Sequence, residues 1–197
     1  SNILVKHIRQ ITRYDRVMVY EFDEDWNGEV IAESRKKELY SFLGQHFPAS
    51  DIPVQARKLY LKNPLRIIPD VDYTPVEILP SLNPNSKRYI DLSRSFLRSV
   101  SPIHLEYLHN MGVRATLVIS IIINDRLWGL IACHHYQTKF LDCRLRSLLE
   151  HFGNLFAYNI DLLNRLKLKD FDLKIQGVET EVVKRLSHEE DFFSGLA

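Results

Sequence analysis

Apolar residues return at three- and four-residue intervals at the start of the chain: Leu4, Ile8 and Ile11, with Ile3 at the edge of the same stripe. That is the period of one helical face, and it predicts a helix over about 2–13. The period then drops to two. In "DRVMVYEFD", Val17, Val19 and Glu21 alternate with Met18, Tyr20 and Phe22, and "NGEVIAESRK" follows an Asn-Gly turn signal. Together they predict an antiparallel hairpin with Tyr20 on a strand. "DIPVQARKLYLKN" offers Asp51 as an N-cap and Pro53 in the first turn of a helix running to Lys62, and "LRIIPDV" reads as a strand. From 69 to 92, Pro69, Pro75, Pro80 and Pro84 with Asn83 and Asn85 interrupt every period, which predicts a long loop.

The second half repeats the alternation. Ser101 can cap a helix that starts at Pro102 and runs to about Met111; His104 and Tyr107 then share a face, with Ile103 one turn below Tyr107 at its edge. "VRATLVISIII", the turn "ND" and "RLWGLIACHHY" form a second, more apolar hairpin, expected near the sheet centre. "DCRLRSLLEHFGNLFAYNIDLLNRLKLK" reads as a long amphipathic helix with Leu145, Leu148, Leu149, Phe152, Leu155 and Phe156 on its apolar side. The order helix, two strands, helix, strand, helix, two strands, helix predicts an α+β domain: a central antiparallel sheet flanked by helices, with a long C-terminal helix.

Composition narrows the chemistry. Lys and Arg total 26 against 25 Asp and Glu in 197 residues, so no charge excess recruits nucleic acid or an anionic membrane, and any partner is recognised locally. Cys133 and Cys143 show neither a CxxC pair nor a His/Cys zinc spacing, which fits a reducing cytoplasm. There is no GxSxG elbow, phosphate-binding glycine loop or HExxH, so the chain is not read as an enzyme.

The remaining signals are side chains that have ordinary explanations when taken singly. Alternation sends His134 to the sheet face opposite Cys133, where a structural histidine is the default. Arg66 and Arg98 sit in the apolar settings "NPLRII" and "SFLRSV", suited to a carboxylate ligand or to plain salt bridges. Tyr20, Phe47 and Tyr107 are aromatics that core packing alone could account for. "PASDIP" sets a carboxylate and carbonyls in a proline-bounded turn.

Three long segments link these signals: "FPASDIPVQARKLYLKNPLRIIPDV", "LRSVSPIHLEYLHNMGV" and "LWGLIACHH". In this order and spacing they resemble the bilin-binding GAF domain of the phytochrome photoreceptors, over roughly residues 1–168. Residues 169–197 are similar to the helical connection into the following PHY module. The resemblance implies a linear tetrapyrrole held in the GAF fold, and a role for each matching residue. Asp51 and Ile52 fall in the family's DIP motif, with the Asp51 carbonyl accepting from pyrrole N–H groups. His104 would lie beside the central rings, and His134 would donate to the ring D carbonyl. Arg66 and Arg98, assisted by Ser101, would bind the propionates, with Thr116 and Ser120 as weaker candidates there. Tyr20, Phe47 and Tyr107 would surround ring D, whose bridge isomerises in light. The resemblance also implies a cytoplasmic parent protein with PAS and PHY modules and a homodimer through the long helix.

One position departs from part of the family. Plant and most cyanobacterial phytochromes carry an attachment cysteine where this chain has Ile103. The chain is similar instead to bacteriophytochromes, which attach biliverdin through a cysteine in an N-terminal PAS region, threaded through a loop equivalent to about 69–95. No such region is present among these residues, so biliverdin, or phycocyanobilin as the alternative, is expected to bind here without a covalent bond.

Overall fold

The computed structural model describes residues 1–96 and 98–189. Ser1–Ala157 form one compact unit, and a second begins at Tyr158. Helix α1 covers Asn2–Thr12 and ends where Arg13 turns left-handed at φ 55°. Strands β1 (Arg16–Phe22) and β2 (Gly28–Arg35) form the first hairpin, and β3 is the short His46–Phe47. A 3-10 turn, Ala49–Asp51, leads to α2 (Val54–Lys62) and β4 (Leu65–Ile68). After the long loop come α3 (Pro102–Asn110), the hairpin β5 (Ala115–Ile123) and β6 (Arg126–His135), and α4 (Cys143–Glu189). The six strands lie in the order β3-β2-β1-β6-β5-β4, and every pairing is antiparallel. This is the α+β architecture that the periodicity predicts.

The two faces of the sheet have different coverings. On one, Val17, Val19, Leu117, Ile119, Ile131 and Cys133 are completely buried. Helix α1 packs on β1 and β2 and buries Val5 and Ile8, each worth about 1.5–3 kcal/mol of apolar transfer. Helix α4 crosses β5 so closely that a Cβ on Gly153 would stand 2.6 Å from Ile119 Cγ2. The other face carries Met18, Tyr20, Phe22, Val30, Val118 and Leu130, with Phe42, Phe47, Ile52 and Tyr60 packed against them. Fewer regular elements cover this face, which leaves room for a cleft.

Several local expectations shift. Asp51 is not the cap of α2: Pro53 holds that position, and Asp51 ends the preceding 3-10 turn. Proline drives the residue before it out of the helical region, so the helix cannot reach back through Ile52. Ser101 stands at the N-cap of α3, yet its hydroxyl makes no capping bond; its carbonyl accepts from the His104 and Leu105 amides. On α4 the buried stripe is Leu149, Gly153 and Ala157, while Leu148 and Leu155 are about half exposed. Close approach to β5 demands small residues, so the inward face follows Gly153 and not the largest leucines. Asp142 caps this helix, accepting from the Leu145 amide at 2.8 Å. The expected connection over 169–197 is helical through Glu189, and residues 190–197 lie outside the described ones. No helix among the described residues is long and apolar enough to cross a membrane.

Candidate ligand-binding cleft

Between the second face of the sheet, α2, α3 and the segment around Phe42 lies a cleft lined mainly by apolar and aromatic side chains with a few polar groups among them, the kind of lining that suits an organic ligand. Eight of the residues singled out from the sequence line it: Tyr20, Phe47, Asp51, Ile52, His104, Tyr107, Thr116 and His134. They come from five different segments of chain.

Tyr20 owes its place to a glycine. A Cβ on Gly28 would fall 1.8 Å from the Tyr20 ring, so the phenol lies across the bare backbone at the start of β2. Phe22 meets it edge-on with centroids 5.2 Å apart, and Phe47 closes its other side at 5.9 Å. Burial, with the Asp51 carboxylate adding to it, pushes the Tyr20 pKa up to about 12, and the same two causes raise Tyr107. Both phenols therefore keep their protons at neutral pH, within electrostatic reach of one carboxylate. The turn that carries Asp51 is braced by Arg57, a residue without a sequence signal of its own. Its Nη1 donates to the Ile52 carbonyl at 2.7 Å and the Ala49 carbonyl at 3.3 Å, while its guanidinium lies 4.6 Å from the Trp26 ring.

His104 and Tyr107 stack nearly parallel, at 13° with centroids 6.2 Å apart, as their i, i+3 spacing on α3 requires. Burial, and then Arg66, lower the His104 pKa. His134 is pushed down to about 3, first by burial and then by Arg16 and His104, so it is neutral at any ordinary pH. Its Nδ1 is buried without a hydrogen-bond partner. Thr116 stands opposite His134 across the β5–β6 ladder.

The other expected residues stand off the lining. Arg66, opposite Val118 in the β4–β5 ladder, donates to the Phe96 carbonyl at 3.0 Å and the Arg98 carbonyl at 2.7 Å. Arg98 donates to the Ser95 carbonyl at 3.1 Å. Among the described residues neither makes an ion pair. Burial, and then its neighbour Arg98, lower the Arg66 pKa, the mark of a charge without a counter-ion. Ser120 Oγ donates to the Tyr60 carbonyl at 2.9 Å, which occupies it outside the cleft. Ser101 is exposed, and Ile103 is 79% exposed on the outer side of α3.

Other lining residues gave no sequence signal. Tyr60 on α2 is one: burial raises its pKa against the pull of Arg66 and Arg98, so this cleft-lining phenol lies within electrostatic reach of both guanidiniums. Phe42 is another, in a segment without periodicity. Neither thiol lines the cleft: Cys133 is buried on the opposite face of the sheet, and Cys143 is exposed at the start of α4.

The family model for the GAF domain matches residues 1–160. The chain is 48% identical to cyanobacterial phytochrome B of Nostoc sp., over 100% of this chain and 26% of that protein. It is 46% identical to a bacteriophytochrome of Pseudomonas aeruginosa, over 100% of this chain and 27% of that protein. It thus spans about a quarter of the length of these curated relatives. The solved chromophore-binding domain of an unusual bacteriophytochrome from R. palustris superimposes with a TM-score of 0.82 at 46% identity, covering 84% of this chain and 55% of that one. The chain belongs to the GAF-domain family, and within it to the GAF domains of phytochromes and bacteriophytochromes.

Proposed function

We propose that this chain is a red/far-red light-sensing domain whose cleft takes a linear tetrapyrrole, biliverdin, without a covalent bond. One observation carries the reading: a cleft walled by Tyr20, Phe47, Tyr107 and Tyr60 adjoins two guanidiniums, Arg66 and Arg98, that have no carboxylate of their own. An extended apolar molecule bearing carboxylates matches both halves. The two propionates of a bilin are such carboxylates, and Arg66 and Arg98 would meet them.

The cleft also offers neutral donors. Tyr20 and Tyr107 hold their phenolic protons, and His134 is neutral. Asp51 supplies negative charge that would balance a protonated pyrrole system, and Arg57 keeps its turn in place. When bound, a linear tetrapyrrole supplies red-light absorption and a double bond that light isomerises. The tight aromatic surround and the adjacent donors hold its groups without bonding them irreversibly. Transmission to neighbouring modules of a parent protein, through α4, is part of the same reading.

The test is direct. Biliverdin added to the purified chain should produce a red absorption band, lost on acid-urea denaturation, with no zinc-dependent fluorescence on a denaturing gel. A retained fluorescent band would mean covalent attachment, and a folded chain without any red band would overturn the reading. A second reading, a tetrapyrrole-free regulatory or dimerisation module, draws on Leu148, Leu155 and Leu162, exposed at seven-residue intervals along α4. Dimerisation in sedimentation experiments without a red band would favour it.

A further inference from the structure

We propose that Arg16 is a positioning residue for the cleft: it fixes the His134 ring with its proton on Nε2, toward the cleft, and a bare Nδ1 toward the guanidinium. The purpose of this arrangement rests on the tetrapyrrole-binding reading above; its geometry does not.

Arg16 and His134 are direct partners in the β1–β6 ladder, so their side chains rise side by side from the same face of the sheet. Almost all of the guanidinium is committed. Nη1 meets Glu33 Oε1 at 2.7 Å, Nη2 donates to the Tyr40 carbonyl at 2.6 Å, and the Phe42 ring covers its face at 3.8 Å. What remains is Nε, buried without a partner, and the neighbouring His134 Nδ1 is in the same condition.

Because the two residues pair across the ladder and Arg16 acts on the His134 ring, their unpartnered nitrogens restrict each other. Arginine Nε can only donate, and a buried donor without an acceptor is costly. The two nitrogens make no direct hydrogen bond, so a bare Nδ1 supplies the missing lone pair across one buried water that accepts from Nε and donates to Nδ1. With the proton on Nδ1 instead, donor would face donor beside a cation, and neither would be satisfied. No other charge reverses this preference. The charged or titratable groups acting on the ring are Arg16 from β1 and His104 from α3, both disfavouring imidazolium, and its β5 partner Thr116 is neutral. Glu33 on β2 is engaged by Arg16, the Ser41 hydroxyl and the Phe42 amide.

The cleft therefore meets a permanent, uncharged N–H donor at residue 134. A ligand that presents a carbonyl there is accepted, and one that presents an N–H donor is refused. Arg16 sets this selectivity without touching the ligand, and through Phe42 it also fixes part of the cleft wall.

Histidine ¹⁵N NMR on the ligand-free chain tests the assignment, with the His134 signals identified by their loss in His134→Gln. The wild type should show a pyridine-like Nδ1 and a pyrrole-like Nε2, with the Nε2–H form in about tenfold excess, the ratio that one hydrogen bond's free energy supports. In Arg16→Met/Glu33→Gln, which removes both charges at similar volume, the Nε2–H excess should fall toward that of an unconstrained histidine. The charge-preserving Arg16→Lys, which lacks Nε, should also lower it. A major Nδ1–H form in the wild type, or an unchanged ratio in a folded variant, overturns the proposal. If neither variant folds, the wild-type Arg16 Hε decides. Slow exchange with a contact to His134 or to a bound water supports the pairing, and rapid exchange overturns it. Biliverdin uptake is measured separately, so failure of the ligand reading and failure of the Arg16 assignment give different results.

Discussion

Arg16 at the start of β1 and Arg66 in β4 both rise from the cleft face of the same sheet, and both are withdrawn from water. Their partners differ. Arg16 is 2% exposed in its side chain against a carboxylate, Glu33, that is 3% exposed, with an aromatic ring stacked on the guanidinium. Arg66 has backbone carbonyls and a second arginine nearby, and no carboxylate among the described residues. A fold can bury a charge if it buries the counter-ion with it, and such a pair is part of the architecture. A half-buried charge left without one sustains a cost that an incoming anion would relieve. The difference separates an arginine that holds the protein together from one available to a ligand.

The sharpest way to break this contrast is Glu33→Ala. It would leave Arg16 buried and uncompensated, with an expected loss of about 3–5 kcal/mol in urea unfolding. A loss below about 1 kcal/mol would mean that Arg16 finds water or another partner. Arg66→Ala should behave in the opposite way. Biliverdin binding should weaken by about 1.5–3 kcal/mol, the worth of a charge-assisted bond, while unfolding changes by less than about 1 kcal/mol. Equal effects of the two substitutions on stability would erase the distinction. Arg98 makes a single bond to a carbonyl close in sequence, so Arg98→Ala should weaken binding by no more than about 1.5 kcal/mol in the same titration. A larger loss than for Arg66 would make Arg98 the principal anion contact.

The remaining test concerns pH. His134 is held at about 3 in the fold, by burial first and then by Arg16 and His104, against about 6.5 for a free histidine. Between these values the unfolded chain binds a proton that the native chain does not. Stability is then complete above about pH 6.5 and falls as pH drops toward 3. His134→Gln should reduce the slope of stability against pH by up to one proton, read from urea midpoints between pH 7 and 4. An unchanged slope would assign the acid sensitivity to His104 and His135, whose pKa values burial also lowers.

The strands and most helices were legible because their apolar runs are long and bounded by turn signals, as in Val17 to Phe22 and Ala115 to Ile121, both buried on the two faces of the sheet. The cleft was legible where its residues fall on those elements, as with Tyr20, His104 and His134. Phe42 was not, because it enters the cleft from a segment whose shape comes from Glu33 accepting its amide, a contact nine residues apart. Arg16 reads in sequence as the polar flank of a strand, and nothing local announces that Glu33 and Tyr40 will enclose it. Leu148 and Leu155 look like core residues by size, yet the helix approaches β5 through Gly153, and that preference depends on the partner surface.

The bare backbone at Gly28 makes the two sides of the cleft unequal as material for redesign. On the Tyr20 side nothing can be enlarged: even one methyl at residue 28 occupies the space of the phenol, so positions 20 and 28 form a coupled pair, changed together or left alone. The Phe42 side is set by an irregular segment whose ring can be trimmed without disturbing a strand register. A cleft remodelled for a bulkier ligand would therefore gain its volume at residue 42, and a library that varied residue 20 at fixed Gly28 would sample mostly cavities.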